Sequence, residues 1–272
     1  MIGRRPLWLT MVWYGASLCL ALLAIGPAVW LLLQSLQPGG EDLRTLTWKF
    51  TLANYRSAWT DGKLLGPLLN SAFITIARAA LNVALAALAA YPLARMKFKG
   101  RDAIFVLLLA TMMIPEQVIV VPMFTTIVKM GLFDSLMAVI LPFSVSAFGI
   151  YLCRQAFLQV PVELEEAARI DGAGSLRVWW NVMLPLSAPT LATLALFSII
   201  GAWSELLWPL IVLQERGNFT LPVAVNNLMG QFSTNVRTAY AGAMLALLPI
   251  IAVFILVQGF LKGELFAGSV KG

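Results

Sequence analysis

The chain has 272 residues, of which 60% are hydrophobic and 12% charged, with a mean hydropathy of +0.85 and a net charge of +6. Soluble domains carry about 25% charged residues, so this apolar excess requires a lipid solvent. Histidine is absent, which removes the commonest acid–base and metal-binding side chain, and Cys19 and Cys153 lie in separate apolar runs with neither metal-ligand spacing nor a disulfide framework. The basic residues gather at the ends of apolar runs, a pattern of membrane topology rather than nucleic-acid binding.

A membrane span needs roughly 20 apolar residues. The first predicted span runs from Leu7 to Leu36 without a charge, well beyond the roughly 7–15-residue core of a secretory signal, and is read as a retained helix. Pro38-Gly39-Gly40 ends it, and a polar stretch to about Gly66 carries Trp48, Tyr55 and Trp59, aromatics suited to a membrane interface. The second span, Pro67 to Leu93, contains Ala80, Ala84, Ala86 and Ala90, two pairs at the small-xxx-small spacing that lets helices pack closely in lipid. Arg95, Lys97, Lys99 and Arg101 close it. Arg78 inside this span is expected to snorkel to the outer interface, the alternative being to neutralise an anionic substrate.

The third span, Ala103 to Val128, holds Pro115, Glu116 and Pro122, and the fourth runs from Leu136 to Leu158. The fifth, Leu186 to Leu213, carries Trp203, Ser204, Glu205, Trp208 and Pro209, and the sixth runs from Tyr240 to Leu261. Ionisable groups at membrane depth are functional candidates by default, because burying them in lipid is expensive. Glu205 between Trp203 and Trp208 could hold a sugar by hydrogen bonds and ring stacking, or be an interface-belt glutamate bonded to a neighbouring helix. Glu116 after Pro115 could open the helix wall to a ligand or simply mark a kink.

Between the fourth and fifth spans lies the polar stretch Pro161 to Pro185, with four of the thirteen acidic residues: Glu163, Glu165, Glu166 and Asp171. It reads as two helical pieces joined by a hinge. Pro161 suits a first helical position, the glutamates suit the positive end of the helix dipole, and Gly172 can take the left-handed conformation that closes a helix. Ser175 is expected to cap the second piece and Pro185 to end it. Ala167 and Ala168 leave one face almost without bulk, so another surface could approach the backbone.

Glu166-Ala167-Ala168, then Gly172, then Val182-Met183-Leu184-Pro185, resembles the EAA loop of binding-protein-dependent ABC importer permeases, and Ile170-Asp171-Gly172-Ala173 is similar to the carbohydrate, MalG-like branch. Asn70-Ser71, Ala90-Tyr91, Ala94-Arg95, Met113-Ile114-Pro115, Leu206-Leu207-Trp208-Pro209-Leu210 and Leu221-Pro222-Val223 extend the likeness over essentially the whole chain. Ser204 stands where the family often has an amide, and Arg78 is not part of the family's pattern. The resemblance implies an all-α integral membrane fold of six transmembrane helices, the type I ABC importer permease fold, with the EAA coupling loop between helices 4 and 5. It divides the chain into a first helix and external segment (1–65), a permease core (66–262) and a cytoplasmic tail (263–272).

It further implies that Glu166, Ala167, Ala168, Asp171, Gly172, Leu184 and Pro185 contact a separate ATPase dimer, which alone binds ATP and Mg; this chain has no phosphate loop of its own. The other implied partners are a second permease subunit, an extracytoplasmic solute-binding protein and a sugar, oligosaccharide or sugar-like solute such as glycerol-3-phosphate, with Glu116, Trp203, Ser204, Glu205 and Trp208 as path candidates. Placing the N-terminus inside puts eleven of the nineteen basic residues in the cytoplasm and seven outside, so both termini and the loop are expected to be cytoplasmic in a bacterial or archaeal inner membrane. A permease for a non-sugar solute, a stand-alone carrier and a membrane enzyme are the competing classes. The carrier is disfavoured by the lack of internal repeats and the enzyme by the lack of any nucleophile–base motif.

Overall fold

The computed structural model describes residues 7–39, 47–231 and 236–267, with side chains over 9–39, 47–230 and 236–256. Arg4, Arg5, Arg44 and Lys271, on which part of the charge bias rests, and the tail 268–272 lie outside the described residues. The described residues are helical, with no strand among them. In chain order the α-helices are α1 (Leu7–Ser35), α2 (Ala53–Thr60), α3 (Leu65–Arg95), α4 (Arg101–Thr111), α5 (Glu116–Lys129), α6 (Leu136–Ile140) and α7 (Ala147–Gln159). There follow α8 (Val162–Ile170), α9 (Ser175–Val178), α10 (Leu184–Leu186), α11 (Ala188–Ser204), α12 (Leu207–Val212), α13 (Leu221–Gln231) and α14 (Val236–Ala267).

Among the described residues three helices are long and apolar enough to span a bilayer: Leu9–Ser35, Leu65–Arg95 and Val236–Leu256. Three further helix pairs qualify only as bent units: α4 with α5 at 100°, α6 to Phe143 with α7 at 43°, and Ser175–Leu186 with α11 at 78°. The predicted third span is therefore sharply broken. Pro115 sits extended at φ −60°, ψ 134°, because proline cannot donate to the helix before it and restricts Ile114. The predicted fifth span also stops at Ser204, with Glu205 extended before α12 begins.

The chain forms two compact units, and Val225–Leu247 belongs with Met1–Leu64 rather than with the intervening residues, a grouping that a linear division of the chain does not anticipate. In the first unit the C-terminal carbonyls of α1, left without helical partners, are met by side chains. Asn54 donates to the Ser35 and Gln37 carbonyls at 2.8 and 2.7 Å, and the buried Arg237 donates to Gln34 Oε1 at 3.3 Å and to the Pro38 carbonyl. Along α1 the apolar side chains from Met11 to Leu32 are largely exposed, as befits a lipid-facing surface.

In the second unit α3 is the axis, packed against α7 and α11. Its buried alanines are Ala79, Ala86, Ala87, Ala90 and Ala94, whereas Ala80 and Ala84 face outward. Of the two predicted small-residue pairs, only Ala86/Ala90 is buried. Against Ala86, α7 presents Gly149, where a Cβ would lie 3.1 Å from Ala86 Cβ and 2.9 Å from Ser146 Oγ, so a larger residue would force its neighbours to give. A core of Tyr91, Phe157, Trp179 and Met183 forms beside the C-terminal half of α3. Another, of Ile74, Val139, Trp208 and Val212, forms beside its N-terminal half. Polar bonds tie the latter end: Asn70 donates to the Gly217 and Phe219 carbonyls, and Ser71 Oγ accepts from Leu221 N–H at 2.7 Å. Asp134, at φ 55°, accepts from the N–H groups of Gln214 and Glu215, bonds that hold its carboxyl below the usual range.

Candidate functional site

Two features of the second unit are candidates: the acidic hairpin Pro161–Pro185 and a polar cavity beside α3. In the hairpin Pro161 takes the N-cap, one residue before the position expected, and α8 runs from Val162 to Ile170. Gly172 adopts φ +81°, with its N–H on the Arg169 carbonyl at 3.0 Å and Ala173 N–H on the Ala168 carbonyl at 2.9 Å. This is the left-handed closure that the glycine predicts. Ser175 is already the first residue of α9; Gly174 holds the cap, and no side chain bonds there. A π-turn, Trp179–Met183, carries the helix on to Pro185, and the break follows at Ser187.

Both arms are clamped to α3. On α8 the buried Glu165 accepts from Arg169 Nη2 at 2.8 Å and from the Tyr91 hydroxyl at 3.2 Å, and its other oxygen lies 3.7 Å from Arg95 Nε. Arg95 also donates to the Phe157 carbonyl at 2.6 Å and to the Val160 carbonyl, satisfying the C-terminal end of α7. On the second arm Trp179 Nε1 donates to the Ala87 carbonyl at 3.1 Å, buried within the core. On the hairpin's outer side Glu166, Ala167, Asp171, Gly172 and Pro185 are exposed, beside the exposed Ile170 and Leu176, whereas Ala168 and Leu184 are half-buried against the core.

The cavity, of about 530 Å³, is lined by Arg78, Asn82, Glu116, Phe143, Ser146 and Phe197 among others. Asn82 is the joint of three helices: it donates to Ser198 Oγ at 2.8 Å and accepts from Ser146 N–H at 2.9 Å. Arg78 does not snorkel outward; its guanidinium lies 4.3 Å from the centroid of the Phe143 ring, an attractive π face that holds it inside.

The family model for "binding-protein-dependent transport system inner membrane component" matches residues 82–264. The chain belongs to this family. The permease is 34% identical over 260 residues to the arabinooligosaccharides transport system permease protein AraQ of Halalkalibacterium halodurans, covering 93% of each chain. It is 33% identical over 255 residues to the trehalose transport system permease protein SugB of Mycobacterium tuberculosis, covering 92% of this chain and 93% of that one. In fold it matches a subunit in the crystal structure of a bacterial ABC transporter involved in the import of the acidic polysaccharide alginate, with a TM-score of 0.81 at 24% identity, over 95% of this chain and 98% of that one. It is thus a multi-pass transport component of the inner membrane, in a family that is not catalytic.

Of the residues singled out in the permease sequence as path candidates, the cavity takes Glu116 alone. Trp208 is buried in the core, donating from Nε1 to the Ala138 carbonyl at 2.9 Å, and Ser204 donates to the Ile200 carbonyl at 2.7 Å. Trp203 is half-buried, and Glu205 accepts from Trp208 N–H at 3.3 Å, acting as a cap for α12. Glu205→Ala is therefore expected to destabilise the permease by about 1 kcal/mol, and Glu205→Gln, which keeps the acceptor, by less. Thermal unfolding in detergent reads the difference; equal loss in both variants would argue against a capping role. Sequence reasoning passed over Glu165, Tyr91, Arg95, Trp179 and Asn82. Only the alternation of Glu165 and Glu166 on adjacent faces of α8 hinted that one of the pair turns inward.

Proposed function

We propose that this permease forms half of the translocation path of an ABC importer for a sugar, oligosaccharide or sugar-like solute. A second permease subunit supplies the other half, an extracytoplasmic solute-binding protein delivers the solute, and a separate ATPase dimer holds ATP and Mg. The observation that carries this reading is the double clamp of the hairpin onto α3 by Glu165 and Trp179, with Glu166, Ala167 and Gly172 left exposed at its outer face. A hairpin fastened to one helix by a buried ion pair and a buried indole moves with that helix as a lever. ATP-driven closure of the ATPase pair then displaces the hairpin, and α3 turns the path between inward- and outward-open arrangements. Relatives named for arabinooligosaccharides and trehalose favour the sugar class.

In this reading each bent helix pair counts as one span, the chain crosses the membrane six times, and both termini and the hairpin are cytoplasmic. Reporter fusions after Lys63 and Arg237 should read external and those after Arg101 and Gly172 internal. An external signal at Gly172 would end the coupling role of the hairpin. Capture of the ATPase by the full complex, together with uptake of labelled sugars in the presence of the solute-binding protein, tests the function itself. A complex that imports solute without an ATPase would overturn it.

A further inference from the structure

Arg78 is 9% exposed, and its Nη1 is buried without a hydrogen-bond partner. Among the described residues no carboxylate comes within the ion-pair distance of 4.0 Å. The Phe143 ring covers one face of the guanidinium, so its donors are left to act along the edge. A buried cation in this state is costly unless something pairs with it. Asn82, one turn along the same face of α3, cannot help, because its amide is spent on Ser198 and Ser146.

Two carboxylates are near enough to act on Arg78 through their charge, Glu205 and Glu116. Glu205 is bonded to the Trp208 N–H, and Glu116 is exposed in the first turn of α5. A sugar hydroxyl could accept a hydrogen bond from Arg78 but would leave the charge uncompensated. A planar carboxylate meets the guanidinium fork with two bonds and neutralises it. A dianionic phosphate would bring twice the charge past Glu116, so the site favours a single negative charge.

We propose that Arg78 makes this cavity a binding site for the carboxylate of an acidic saccharide, which narrows the solute class and rests on the importer reading given above. The aromatic side chains Phe143 and Phe197 supply apolar walls for the ring faces, and Arg78 supplies the anchor. Glu116 competes for the same cation and keeps the empty site from trapping adventitious anions.

The test uses the whole importer in cells and three matched pairs of disaccharides: digalacturonate and digalactose, cellobiouronate and cellobiose, dimannuronate and dimannose. The wild type should import the acidic member of at least one pair in preference to its neutral partner. Arg78→Gln should raise the KM for that acid by about tenfold or more, and Arg78→Lys, which keeps the charge without the fork, by less. Glu116→Gln should lower it, since a competing carboxylate is gone. Import of neutral members alone would overturn the acidic assignment and leave the importer reading standing. Import of neither member of any pair would remove the sugar class and this site with it. If Glu116→Gln raises the KM as Arg78→Gln does, Arg78 is the ion-pair partner of Glu116 and not a solute anchor.

Discussion

Gly172→Val is expected to reach the membrane at wild-type levels and to lose solute-stimulated ATP hydrolysis and transport. Gly172 stands at φ +81°, and a Cβ placed there meets no heavy atom within 4 Å. The substitution therefore creates no clash, and its whole effect comes from backbone conformation. Holding a β-branched residue in the left-handed region costs about 1–3 kcal/mol. Against the packing of α3, α7 and α11 that is small. For a hairpin proposed to present Glu166, Ala167 and Asp171 in one arrangement it is large, since about 2 kcal/mol moves a local equilibrium roughly thirtyfold. Gly172→Asn, which tolerates the same conformation, should keep most of the coupling, and Gly172→Ala should fall between them. ATPase activity of the reconstituted complex, with and without the solute-binding protein, reads the series. Wild-type transport by the valine variant would show that the turn does not transmit force.

The neighbouring glutamates Glu165 and Glu166 are expected to fail in opposite ways. Glu165→Ala leaves Arg95, whose side chain is 11% exposed, without its carboxylate, and leaves the Tyr91 hydroxyl without its acceptor. Removing one member of a buried pair costs about 3 kcal/mol or more; the share due to Arg169, whose side chain is 47% exposed, is screened and adds little. The variant should melt at a lower temperature in detergent, and its hairpin should be cleaved faster by protease. Glu166→Lys touches nothing inside the chain, so stability should change by no more than about 0.5 kcal/mol. It should instead lose ATPase capture, because the proposed function puts Glu166 on the exposed face that meets the ATPase and the substitution reverses its charge there. The contrast is the informative part. Equal destabilisation by both substitutions, or none by Glu165→Ala, would sink the clamp.

The class of the molecule was legible in the chain itself, because solvent choice is a matter of composition. With 60% hydrophobic residues and apolar runs of span length, an all-helical membrane chain could be expected before its contacts were known, though not where the third and fifth runs break. The hairpin was legible too, for its signals are local: Pro161, the glutamates of the first turn and Gly172 act on their own backbone. What the sequence could not decide is which side of each helix meets which neighbour. Ala80/Ala84 and Ala86/Ala90 have the same spacing, yet only Ala86/Ala90 is buried, with Ala86 against Gly149 of α7. Glu205, Trp203 and Trp208 look like a sugar site in one dimension. Folding turns Trp208 to the Ala138 carbonyl and Glu205 to the Trp208 N–H.

The sharpest case is Arg78, whose type suggested a snorkelling cation. A side chain snorkels only when water is the best partner within reach, and tertiary packing brings Phe143 closer. Sequence thus determined the solvent, the helical class and the local turn, all governed by composition or by neighbours along the chain. The clamp on α3 and the cavity around Arg78 join residues more than sixty positions apart, and only the packing of α3 against α7 and α11 creates them.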